Sequence, residues 1–197
     1  DEEGAFTAVF VAFDLEAEST QVEDAPKLSF VMDLKRESDT TERYLISLKE
    51  TDRAEAAALL DVDATFNPET ELLQGTGKLE ADHTQVAGLL DATKTPEFAL
   101  SGDFAFKANA ETHDSSVTAT LNVLLNELAR VREELAGLGQ VDFVAGLDAE
   151  INPQVITLNK ADATLTSANQ GKLLLVELLQ TLKVPASKGA AMPELSG

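Results

Sequence analysis

Cysteine and tryptophan are absent from the 197 residues, tyrosine occurs once, and 15 basic residues stand against 35 acidic ones. Without cysteine there is neither a disulfide scaffold nor a thiol nucleophile, and redox arithmetic leaves cytosol, periplasm and exterior equally open. The formal charge of −20 repels phosphate backbones and anionic head groups, so nucleic acid is not expected as a partner. No apolar run reaches the roughly 18 residues that span a bilayer. The opening DEEGAF has neither the basic nor the apolar region of a signal peptide, so membrane association is expected only through segments outside this chain.

Local catalytic signatures are lacking as well. There is no phosphate-cradling GxxxxGK loop, no GxGxxG opening a helix and no GxSxG elbow; Gly75-Thr76-Gly77 sits inside a strand pattern. The stretch from Asp61 to Glu71 resembles a calcium loop only superficially, because it lacks the central glycine and places Leu72 where the bidentate Glu belongs. His83 and His113 each adjoin an aspartate in expected turns, and a site built from them requires two loops to meet. Asp61, Asp63, Asp148 and Glu150 lie on outer strand faces, where carboxylates surrounded by water make poor general acids. The expectation is a protein that is not an enzyme, with no catalytic residue, metal or cofactor.

What is present is alternation with a period of two, the mark of half-buried strands. It runs from Phe6 to Ala17, through the pair LSFVMDLKRE and RYLISLKE that reads as a hairpin over Leu28 to Glu50 with a loose polar connection, and most cleanly from Phe98 to Ala108. One phrase occurs twice. Leu60 to Leu90 reads strand, Asn-Pro turn, strand, short helix, and the phrase returns at Ala145 to Leu182. Laying Asn67 on Asn152 places Val62 on Leu147, Ala64 on Ala149 and Phe66 on Ile151, with the apolar face kept in phase. On the second strand of that copy Val155, Thr157, Ala161, Ala163 and Leu165 are expected to share a face.

Two stretches read as helix, the segment after Asp82 and the three-to-four spacing of Leu121, Leu124, Leu125, Leu128, Val131, Leu135 and Leu138. The Leu-rich GKLLLVELLQTLK reads as either a buried helix or a final strand, its length and Leu content favouring the helix. The resulting fold class is α+β: a long antiparallel sheet of repeated β-hairpins with Leu-rich helices packed on one face. Residues 1–184 are expected to form one domain of four units, approximately 5–50, 59–92, 96–138 and 141–184. The rest, 185–197, reads as a flexible tail.

LDVDATFNPETELLQGTGKLEAD and GLDAEINPQVITLNKADATLT resemble the strand-turn-strand phrases of the AsmA and TamB-like envelope proteins of Gram-negative bacteria. That resemblance implies a periplasmic location and an extended, U-shaped sheet whose concave apolar face carries lipid, often behind an inner-membrane anchor. With the amphipathic pattern of sheet and helices, the resemblance suggests a non-catalytic envelope protein that shelters an apolar ligand, the acyl chains of lipids, between sheet and helices. The lining would come from Phe98, Leu100, Phe104 and Phe106 of the Phe-rich strand and Leu124, Leu128 and Val131 of the long helix. Two alternatives are that these residues pack as a closed core, and that the chain is a structural or interaction module of a larger surface protein with no small ligand. Composition leaves the oligomeric state open.

Overall fold

The computed structural model describes residues 9–15, 28–38, 40–50, 58–85 and 94–186. Within them the alternating segments become strands β1 (Val9–Leu15), β2 (Leu28–Ser38), β3 (Thr41–Glu50), β4 (Leu60–Asn67), β5 (Leu72–Asp82) and β6 (Glu97–Asn109). They are followed by β7 (Ser115–Asn126), β8 (Val141–Ile151), β9 (Val155–Ser167), β10 (Gly171–Glu177) and β11 (Leu182–Pro185). All lie in one sheet in the order β1 to β10, every neighbour antiparallel, with β11 also on the outer side of β9.

The α+β expectation is therefore wrong: the described residues form almost entirely a single antiparallel β-sheet, with no Leu-rich helix packed on it. Leu121, Val123 and Leu125 alternate by two as well as fitting a helical spacing. With β6 on one side and β8 on the other, ladder bonding decides for strand. Only the short 3-10 segments Leu128–Arg130 and Glu133–Leu138 remain of the expected long helix, the second ending at Gly139 with a positive φ of 66°. The Leu-rich segment is also strand, because β9 offers it a free edge: β10 and β11 pair with successive parts of β9. The helix expected after Asp82 begins as a turn at residues 83–85, and the rest of it lies outside the described residues, as do the termini of the first strand pattern and the tail beyond 186.

Register follows the alternation. One row across the sheet reads Phe30, Leu48, Leu60, Leu79, Gly102, Leu121, Ala145, Ala163 and Val176. The row beside it on the same face reads Met32, Ile46, Val62, Gly77, Phe104, Ala119, Leu147 and Ala161. The opposite face carries Val31, Ser47, Asp61, Lys78, Asp103, Thr120, Gly146 and Asp162, a row in which carboxylates flank Lys78 across the ladder. The repeat seen in the sequence is real in space, since Val62 shares its row with Leu147, Ala64 with Ala149 and Phe66 with Ile151.

Strand β9 departs from the expected face assignment. Asp148 pairs with Lys160 but Ala149 pairs with Leu158, so Asn159 is an extra residue, a bulge that turns Ile156 and Leu158 to the apolar side and Val155 and Thr157 away from it. The bulge keeps the apolar face continuous through a stretch whose own alternation slips.

The turns share one device. Asn67 Oδ1 accepts from the backbone N–H of Glu69 at 2.9 Å and of Thr70 at 3.1 Å. Asn152 Oδ1 does the same for Gln154 at 3.0 Å and Val155 at 2.8 Å. Asp82 Oδ1 takes the N–H groups of Thr84 and Gln85, Asn109 Oδ1 that of Thr112, and Ser167 Oγ those of Asn169 and Gln170. An acceptor at or just past a strand's end captures donors that the ladder no longer uses, so the strand stops and turns there. The β2–β3 connection, expected to be loose, is tight: Ser38 pairs with Thr41, and the Thr40 N–H reaches Ser38 Oγ at 3.3 Å.

Gly75 and Gly77 are needed for close approach. A Cβ at Gly77 would lie 2.1 Å from Cζ of Phe104, whose ring occupies that space, and one at Gly75 would lie 2.7 Å from the Asp63 carbonyl oxygen and 2.8 Å from Ala64 Cβ. The ring at Gly77 can rotate, but the backbone at Gly75 cannot withdraw without moving β4. Gly75→Ala is therefore expected to destabilise the fold by about 1–3 kcal/mol, the usual range for overpacking, as a fall in the urea midpoint. Asn67→Ala should cost about 1 kcal/mol by the same measurement, whereas Asn67→Asp, which keeps the acceptor, should cost little.

Candidate functional site: the apolar sheet face

Among the described residues, few side chains of the apolar face are fully buried. Among its residues with described side chains, Ala64, Val141 and Ala149 are buried. Leu79, Leu147 and Ile151, by contrast, are 36%, 38% and 39% exposed. Most of the others are half-buried.

Of the expected lining residues, Phe98, Leu100, Phe104 and Phe106 all project from β6 onto this face, in rows with Leu125, Val123, Ala119 and Val117. The rings of Phe104 and Phe106 are stacked with centroids 6.4 Å apart and an interplanar angle of 26°. They pair with Gly77 and Gly75, so the absence of side chains on β5 is what gives the rings room. The other three expected residues do not join them. Leu124 pairs with Ala99 and Asp142 and so belongs to the opposite face, Leu128 is buried in the first 3-10 segment, and Val131 is 48% exposed beyond it. Sequence reasoning missed Leu79, Val123, Leu125 and Leu147 as lining; the signal that could have found them is the two-residue alternation carried through every strand.

The 3-10 connection is tied to the end of the sheet. Ser167 Oγ donates to the Leu138 carbonyl at 2.5 Å, the Ala168 N–H to Gln140 at 2.8 Å, and Asn169 Nδ2 to Gly137 at 3.3 Å. Arg130 bridges Glu97 at 3.6 Å and Glu127, fastening the exit of β7 to the start of β6.

On the polar face two cavities adjoin. One of about 560 Å³ is lined by residues including Thr76, Lys78, Asp103, Thr118, Asp148 and Lys160. The other, of about 400 Å³, includes Asp33, Leu45, Asp61, Asp63, Thr76 and Lys78. Their carboxylates are not arranged as a catalytic pair. Asp63 and Asp148 occupy one row but stand four ladder steps apart, about 19 Å at the usual strand spacing. Asp63 instead engages Arg43 in a fork, Nε to Oδ1 at 2.8 Å and Nη2 to Oδ2 at 2.5 Å. His83 follows the end of β5 and His113 lies in the β6–β7 turn, so the length of the strands separates them, and a shared site is ruled out. Among the described residues no group of three or more His, Asp or Glu side chains could hold a metal ion, and no helix is long and apolar enough to cross a membrane.

Comparison with known proteins adds no relative: no family model, no curated protein and no solved structure matches this chain.

Two carboxylates are held below their ordinary range. For Asp63 the main cause is the Arg43 guanidinium. For Asp82 burial is the largest single influence and opposes ionisation, but the Thr84 hydroxyl and the N–H groups of Gln85 and Thr84 together outweigh it. A folded value below the unfolded one means that the stabilisation is present above the unfolded carboxyl range and is lost as the pH falls through the folded values. Stability should therefore drop on the acid side of that range. Asp63→Asn should flatten the drop and cost only about 0.2–1 kcal/mol at neutral pH, because both partners of the pair are well exposed. Urea midpoints measured across acidic pH would show both effects.

Proposed function

We propose that this chain is a non-catalytic, extracytoplasmic protein whose apolar sheet face binds the acyl chains of lipids. The observation that carries the reading is the continuity of that face: apolar side chains in register from β2 to β10, most of them partly exposed. Nine strands at about 4.8 Å spacing extend it by about 40 Å, and contiguous apolar surface on a sheet face is the kind of patch that marks a binding site. An acyl chain suits a long, unbroken apolar surface, since each methylene removed from water contributes about 0.8 kcal/mol before ordering costs. The location follows from the envelope resemblance of the two repeated phrases.

The polar face supplies the contrast on which recognition depends. Its carboxylates and the net charge of −20 disfavour anionic groups there, which directs an amphiphile's tail to the other side. A second reading, an interaction module, is favoured by one observation at the sheet edge, taken up below.

Phospholipid or fatty acid should co-purify with the chain, detected by mass spectrometry, and the delipidated protein should bind a fluorescent acyl probe. Leu79→Lys combined with Leu147→Lys, both exposed positions on the apolar face, should weaken the probe at least tenfold. Thr118→Lys on the polar face should leave binding unchanged. Absence of both lipid and probe binding, or equal binding by the apolar-face variant, would overturn the proposal.

A further inference from the structure

Strand β10 does not share the pattern of the strands inside the sheet. β6 and β7 alternate apolar and polar residues, whereas β10 reads Leu173, Leu174, Leu175, Val176 without a break, the composition of a strand covered on both faces. Yet Leu174, Leu175 and Val176 are 48%, 51% and 51% exposed, and among the described residues β10 ends the sheet. Leu174 and Val176 continue the apolar face, in rows with Leu165 and Ala163; Leu175 projects to the other side beside Thr164 and Val144, itself 44% exposed. An edge whose charges, Lys172 and Glu177, stand only at its two ends and whose middle is an uncharged apolar run is a template for another strand.

We infer that the occupant is β10 of a second copy, so that two sheets join edge to edge about a two-fold axis. Charge allows it: from residue 171 to 185 the chain carries Lys172, Glu177 and Lys183, a net +1 by two lysines against one glutamate, in a chain whose total is −20. Two copies repel each other over most of their surfaces but not here. Hydrogen-bonding direction selects the residues. Leu178 N–H donates inward to the Ala161 carbonyl at 2.8 Å, so by strand alternation Leu175 and Glu177 turn their backbone groups outward.

Symmetry then fixes the register. A two-fold axis relating adjacent antiparallel strands stands perpendicular to the sheet, so opposed residues must belong to the same face. Centring on Glu177 would oppose two carboxylates, which is unfavourable. Centring on Leu175 opposes Leu175 to its own symmetry mate and Leu174 to Val176 of the other copy. The apolar faces then lie on the same side, doubling the width of the apolar surface. The extra residue at Leu173 and the break before β11 limit the contact to a few residues, so the dimer is reversible and depends on concentration.

The test needs no lipid and is independent of the acyl-chain reading. In sedimentation velocity the chain should pass from monomer to dimer as concentration rises, and Leu175→Lys should remain a monomer throughout, with an unchanged circular dichroism spectrum. Opposed Cα atoms in such a pair stand about 5.5 Å apart, within disulfide range, and the chain has no cysteine of its own. Leu175→Cys should therefore oxidise to a single cross-linked dimer, while Val144→Cys, also exposed but two strands inside the edge, should not. A monomer at every concentration overturns the inference. So does assembly beyond the dimer, which would mean head-to-tail pairing of β10 with β1, or a monomer whose edge serves only to bind phosphatidylcholine vesicles, with capture lost in Leu175→Lys.

Discussion

The structure depends on one constraint, that side chains alternate across a strand while ladder bonding forces opposed residues onto the same face. Each strand is bound to its neighbour in sequence, so a slip of one residue anywhere would bring a strand's carboxylates onto the apolar side and its leucines into water. Every strand from β2 to β10 obeys the constraint, and where the sequence falls out of step, at Asn159, a bulge absorbs the extra residue. Register here is a property of the whole sheet.

The turns enforce it. In a meander the position at which a strand stops determines the pairing of the next, and here the stop is chemical: a side-chain acceptor at Ser38, Asn67, Asp82, Asn109, Asn152 or Ser167 satisfies the donors that leave the ladder. Glycines at positions 75 and 77 and the rings of Phe106 and Phe104 solve a related problem, filling the apolar face above a strand too narrow to fill it alone. These local solutions hold the sheet formed by the described residues in shape.

Much of this was legible in the sequence. The hairpin over Leu28–Glu50, the strand through Phe98–Ala108 and the doubled Asn-Pro phrase were readable because alternation and turn chemistry agreed there. Two helical readings, over residues 121–138 and over the Leu-rich segment, failed where they disagreed. Leu121, Leu124, Leu125 and Leu128 fit both periods, and only the two partner strands beside them, formed by residues distant in sequence, decide between helix and ladder. The Leu-rich segment is ambiguous for the same reason, since a continuous apolar run carries no period at all. The candidate site suffered the same fate in miniature. The four β6 residues were found, but Leu124, Leu128 and Val131 were assigned to a helical stripe that does not exist, and their true companions on the face went unnoticed.

The strict pairing of each strand with its sequence neighbours gives the molecule the character of a chain of hinged slats more than that of a sphere with a centre. Among the described residues the strands contact one another almost wholly through their ladders, two for each strand from β2 to β8, so stability is close to a sum over adjacent pairs, as in solenoid repeats. Such an object can open from either end one hairpin at a time while the middle stays intact, and it can be lengthened by further hairpins without repacking those already formed. Its natural unit of change, in folding as in evolution, is a pair of strands and the turn between them.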